Sequence, residues 1–149
     1  MSDKLVLNEL VTQKLREFKD MGEDKVSYNY SYPIEFDFSA NTSGTSQVQK
    51  ITVSGSQLFI FNQINFCADG DFDIYLKDVA TGRVLSEQAI NSQVLSDVDF
   101  TISQYKGIHK LDIPKILSGN GELNIVVYNR SANANNIKLN FKGVSINSR

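Results

Sequence analysis

Tyr28-Asn29-Tyr30-Ser31-Tyr32-Pro33-Ile34-Glu35-Phe36-Asp37-Phe38-Ser39 alternates without a break. Tyr28, Tyr30, Tyr32, Ile34, Phe36 and Phe38 fall on one side. Asn29, Ser31, Pro33, Glu35, Asp37 and Ser39 fall on the other. A period of two is the signature of a strand with one apolar and one polar face. Pro33 has no N–H to give a ladder, so the strand is predicted to run along a sheet edge or to change partner there.

Downstream of this strand the same period recurs in short pieces. The pattern predicts strands over residues 48–53, 58–67, 72–78, 83–90, 97–103, 109–113, 123–129 and 137–146. Alternations such as Phe72/Ile74/Leu76, Val98/Phe100/Ile102 and Leu123/Ile125/Val127 mark their inward sides. The connectors Ser54-Gly55-Ser56, Ala68-Asp69-Gly70, Thr81-Gly82 and Ser118-Gly119-Asn120-Gly121 hold the Gly and Asn that tight turns require. Short strands with no helical pattern between them imply an all-β domain, an antiparallel β-sandwich or a barrel.

Upstream the period is different. Leu7, Val11, Leu15 and Phe18 recur at three- and four-residue steps, which predicts a short N-terminal amphipathic helix over residues 2–19. Ser2 and Asp3 can cap its start, and Met21-Gly22-Glu23-Asp24 stops it. The division is then a helix and arm over 1–26 and a β-domain over 27–149. The helical stripe must be covered by its own sheet, a neighbouring subunit or a membrane surface, and its own sheet is the plainest of the three.

At 149 residues the chain has the size of one ordinary domain. Its 41% hydrophobic and 21% charged residues suit a globular chain. A net charge of −2 provides no positive field that would make nucleic acid the main ligand. The single cysteine, Cys67, forms no internal disulfide and is expected as a small buried hydrophobe within Ile64-Asn65-Phe66-Cys67. The N-terminus lacks a secretory signal, and no segment has the length of apolar residues that spans a bilayer. Asn29-Tyr30-Ser31, Asn41-Thr42-Ser43 and Asn129-Arg130-Ser131 match the glycosylation tripeptide, which carries no weight without export.

The candidate chemistry is thin. Asp69-Gly70-Asp71-Phe72-Asp73 suggests a calcium loop, but Ile74 and Ala80 stand where an EF-hand needs Gly and a bidentate Glu. The expectation there is a turn followed by a strand with Asp71 and Asp73 on its solvent face. His109 is the only histidine, and no Gly-x-Ser-x-Gly surrounds any serine. Phosphate-binding glycine loops are also lacking. No enzyme and no cofactor are expected. The Tyr28/Tyr30/Tyr32 stripe is the most suggestive surface, since tyrosine is favoured at protein interfaces and can stack on sugars.

Five stretches carry a family resemblance. Lys50-Ile51-Thr52-Val53-Ser54-Gly55-Ser56-Gln57-Leu58-Phe59 supplies an opening strand pair. Phe72-Asp73-Ile74-Tyr75-Leu76-Lys77-Asp78 runs into the turn Thr81-Gly82-Arg83-Val84-Leu85-Ser86. Leu111-Asp112-Ile113-Pro114-Lys115-Ile116 and the segment from Gly121 to Ser131 come next, and Ile137-Lys138-Leu139-Asn140-Phe141-Lys142-Gly143-Val144 closes the series. In this order they resemble the jelly-roll capsid proteins of icosahedral bacteriophages of the double-jelly-roll lineage, and their single-jelly-roll vertex proteins above all. The resemblance implies a jelly-roll sandwich and a non-enzymatic virion protein of the penton or minor capsid type. It also implies self-association and docking to other capsid proteins. Leu7, Val11, Leu15, Phe18, Tyr28, Tyr30 and Tyr32 are the expected interface, and the helix would meet a neighbouring subunit or an internal membrane. The rival from another class is a carbohydrate-binding host-attachment module using the tyrosine face.

Overall fold

A computed structural model describes residues 3–79, 81–82, 84, 88–95 and 105–148. Helix α1 (Asp3–Asp20) is followed by β1 (Lys25–Phe38), β2 (Ser46–Thr52), β3 (Leu58–Ala68), β4 (Phe72–Asp78) and β5 (Ile90–Asn91). A single helical turn, α2 (Ser92–Leu95), precedes β6 (Tyr105–Leu117), β7 (Glu122–Asn129) and β8 (Asn135–Ser148). One sheet has the order β1-β8-β3-β6 and the other β2-β7-β4-β5. All the pairings are antiparallel. Two four-stranded sheets interleaved in this way form a jelly-roll sandwich.

The core lies between the sheets. Phe36 and Phe38 of β1 meet Phe59, Phe61, Ile64 and Phe66 of β3, with Ile137, Leu139 and Phe141 of β8 between them. Facing these are Ile51, Phe72, Ile74, Leu76, Leu123, Ile125 and Val127 of the other sheet. Lys115 of β6 and Asp78 of β4, both largely buried, tie the sheets together at 3.6 Å. The Asp78 carboxylate also accepts the N–H of Thr81 at 3.4 Å, so it anchors the turn that follows β4.

Helix α1 lies on the outer face of the first sheet. Leu7 and Val11 are buried there with Leu58, Ile60, Val144 and Ile146, and Leu10, Leu15, Phe18 and Ile116 pack around them. This second core explains why Leu58-Phe59-Ile60-Phe61 does not alternate: all four are buried, two against each layer. The helix ends in a Schellman motif, with Gly22 at φ +79°, Glu23 N–H donating to Phe18 O and Gly22 N–H to Lys19 O.

Several expectations need correction. The strand expected over 109–113 is the longer β6, in which residues 111–114 bulge opposite the single residue Asn62. Pro114 sits in that bulge, where a missing N–H breaks no ladder. Of the strand expected over 83–90, the isolated bridge of Val84 to Lys77 and the start of β5 are seen, Gln88 and Ala89 are not in a strand, and residues 83 and 85–87 lie outside those described. The strand over 97–103 and the Ser2 cap also lie outside the described residues.

Cys67 is exposed, not buried. The cause is Asn62, the extra residue between Phe61, which pairs with Gly143, and Gln63, which pairs with Lys142. That bulge shifts the alternation by one, sending Ile64 and Phe66 into the core and Cys67 outward.

Candidate functional site

The acidic cluster turns out to be a structural knot at one end of the sandwich. Asp71 Oδ1 accepts from Ser92 Oγ at 2.6 Å, Asn91 Nδ2 at 2.9 Å and Phe72 N at 2.9 Å. Asp73 accepts from the same Asn91 amide and pairs with Arg130 Nε at 2.8 Å. Asp69 accepts the N–H of Asn136 at 3.1 Å. Asp71 and Asp73 are therefore not on a free solvent face: they bind β4 to β5, α2 and the chain after β7. Beneath them Asn135 and Asn129 are buried. Asn135 accepts Gly70 N–H at 2.9 Å and donates to Asp71 O and Asn129 Oδ1, both at 3.1 Å. Among the described residues, no group of three or more His, Cys, Asp or Glu is arranged to hold a metal ion.

His109 faces inward from β6, and its Nδ1 lies 2.8 Å from Leu95 O. A carbonyl can only accept, so Nδ1 carries the proton. In a hydrolase triad that nitrogen would face a carboxylate; here it faces backbone and holds α2 against β6.

The expected interface residues divide into two sets. Leu7 and Val11 are buried under α1 against the protein's own sheet, with Leu15 and Phe18 half-buried beside them. The tyrosines point the same way as the core-facing side of β1, but they lie toward its start, away from the Phe36 and Phe38 end that enters the core. Tyr32 packs edge-on against Phe59 with ring centres 4.7 Å apart. Tyr30 stacks edge-to-face on Tyr32 at 5.1 Å, and Tyr28 follows Tyr30 at 6.2 Å. The ladder runs outward, and Tyr28 and Tyr30 remain 44% and 42% exposed. Burial raises the Tyr32 phenol above its ordinary value of 10.0, with Tyr30 and Tyr28 adding to the shift.

Beside this ladder lies the sheet edge that Pro33 led the sequence reading to expect. Among the described residues β1 is an outer strand with β8 as its only ladder partner. Gln47 Nε2 donates to Asp37 O at 2.7 Å, and Gln49 Nε2 donates to Glu35 O. These glutamines project from β2 and cap the far half of the edge. Both capped carbonyls belong to odd-numbered residues. Because N–H and C=O of a strand residue point the same way, the odd residues of β1 turn their backbone from β8. Pro33 is odd, so its missing N–H falls on the open side and breaks no bond, as an edge-strand proline should.

No family model matches the sequence, and no curated protein matches it. Solved structures with a similar fold include the capsid asymmetric unit of cyanophage Pam1, at 7% identity and a TM-score of 0.44, covering 83% of this chain and 86% of that one. The 60-mer BFDV capsid protein is similar at 7% identity and a TM-score of 0.37, covering 85% of this chain and 95% of that one. The VP2 subviral particle of infectious bursal disease virus is similar at 9% identity and a TM-score of 0.36, over 83% of this chain. This chain spans only 37% of the length of that VP2. These three are viral capsid proteins, a periplasmic lysozyme inhibitor of Salmonella Typhimurium is similar at 13% identity and a TM-score of 0.30, and at TM-scores below 0.5 the likeness assigns no function.

Proposed function

We propose that this protein is a non-enzymatic structural subunit of a virus particle, of the vertex or minor capsid type, that associates with itself and docks to other capsid proteins. Its site of action would then be the virion. The observation that carries the reading is the lower half of β1, an unpaired strand edge flanked by the half-exposed Tyr28 and Tyr30 on a jelly-roll sandwich. Exposed strand edges and clustered aromatic rings are features that proteins cover with a partner. The resemblance of the five quoted stretches supports the capsid reading, since they fall on β2–β3, β4, β6, β7 and β8, strands of the sandwich itself.

The test is the solution mass of the full chain by light scattering, together with co-assembly with the other shell proteins of its virus. An oligomer that enters the particle is expected. A monomer that stays a monomer at millimolar concentration and binds no shell protein overturns the reading.

Carbohydrate binding is the second reading, on the strength of the same exposed tyrosines. Tyr28 and Tyr30 meet at 69°, edge to face, which does not form the flat platform on which a sugar ring stacks. Glycan-array binding that disappears in Tyr30→Ala would reverse this order.

A further inference from the structure

The geometry points to β1 pairing with β1 of a second copy of this chain, antiparallel across a two-fold axis centred on Asn29. This rests on the self-association proposed above and names the surface that performs it.

The open stretch has defined ends. Its upper end is Pro33, beyond which Gln49 and Gln47 already cap the Glu35 and Asp37 carbonyls. Its lower end is Lys25, where the strand begins. The register to β8 runs unbroken from Lys25↔Ser148 to Phe38↔Asn135, so Ser27, Asn29 and Ser31 share the outward backbone direction of Glu35 and Asp37.

The occupant follows from the stretch itself. Antiparallel pairing about Asn29 sets Ser27 against Ser31 of the second copy, Asn29 against Asn29, and Lys25 against Pro33. The three central pairs would exchange about six backbone hydrogen bonds, two per pair. The donor that Pro33 lacks falls at the boundary, where it interrupts nothing in the centre. A foreign strand could also add to this edge, but the tyrosine row favours a copy, because a second copy sets Tyr30 against Tyr28 and Tyr28 against Tyr30 at once. From Lys25 to Ile34 the only charge is Lys25 itself, so two copies meet along this stretch without like-charge rows; Glu23, Asp24, Glu35 and Asp37 lie beyond its ends.

The aromatic rows agree. In this register Tyr28 lies directly opposite Tyr30 of the second copy in a non-hydrogen-bonded pair, where side chains come closest. The ladder Phe59–Tyr32–Tyr30–Tyr28 would continue across the axis into its own image, covering the two tyrosines that each chain leaves half-exposed.

The test is sedimentation of the full chain with two substitutions at the centre. Asn29→Lys sets two cations face to face on the axis. Asn29→Pro deletes an outward donor without touching the β8 ladder. Both are expected to weaken dimerisation at least tenfold while the melting temperature of the monomer stays close to that of the parent. Asn29→Cys in a Cys67→Ser background is expected to form a disulfide-linked dimer on mild oxidation, because hydrogen-bonded cross-strand Cα atoms lie about 5.5 Å apart. If Asn29→Pro fails to fold, Asn29→Lys, a change on an exposed side chain, decides. An oligomer that keeps its mass in Asn29→Lys and forms no cross-link at position 29 overturns the β1 pairing and leaves self-association standing. A parent chain that is monomeric throughout overturns both.

Discussion

At Gly143 the backbone of β3 comes so close that a methyl group has no room. A Cβ there would lie 1.9 Å from Ile60 O and 2.6 Å from Phe61 Cα, both backbone atoms at the edge of the β3 bulge. Gly143 also faces Tyr30 across the β1–β8 ladder, so an aromatic ring stands beside the glycine. Gly143→Ala must push β3 from β8 in the centre of the sheet. The expected loss is about 3 kcal/mol, read as a lowered urea midpoint. Tyr32 gives a residue-scale prediction of another kind. Its phenol titrates higher folded than unfolded, so the folded state holds that proton longer. Its contribution is complete below the ordinary tyrosine pKa and is lost as pH rises past it. Melting temperatures at pH 8 and pH 11 should fall further apart in the parent than in Tyr32→Phe.

Among the elements, α1 takes the plainest of the three covers open to it. Read from sequence, Leu7, Val11, Leu15 and Phe18 formed a stripe in need of a cover, and the sheet of the same chain supplies it. Removing residues 1–24 would uncover Leu58, Ile60, Val144 and Ile146. At roughly 1.5–3 kcal/mol per buried aliphatic side chain, losing Leu7 and Val11 alone costs about 3 kcal/mol or more. The truncated chain should melt earlier and bind a hydrophobic dye that the full chain excludes. This element also shows what the sequence made legible. The alternations of β1, β4 and β7, and of β8 as far as Phe141, could be read directly, because each has one buried face there. β3 and β6 could not, for two physical reasons. β3 is buried on both faces where α1 covers it, which erases the period, and the Asn62 bulge then shifts its phase. In β6 four residues bulge against that one, leaving Ile113 82% exposed at the end of the stretch that reads as a strand. The edge position of β1 was legible from Pro33, whose missing N–H suits no central strand; which part of that edge stays open was not, because side-chain patterns carry no record of which way a backbone amide points.

For the molecule as a whole, each end of the sandwich is closed by a different kind of contact. The Asn129/Asn135 knot locks one end with directional hydrogen bonds, and the hydrophobic seat of α1 covers the outer face toward the other. The sheet order has a further consequence, in time. β8 lies between β1 and β3, so among the described residues the first strand of the sandwich has no ladder partner but the last. As the chain leaves the ribosome, β1 must wait until β8 has emerged, more than a hundred residues later. Pairings this distant along the chain make folding slow, in milliseconds to seconds. Pulsed hydrogen exchange during refolding should find the β1 amides that face β8 protected last, after those shared by β4 and β7. Through that interval the tyrosine-lined strand is unpaired on both of its edges, and crowded nascent chains can join there before any one of them has finished folding.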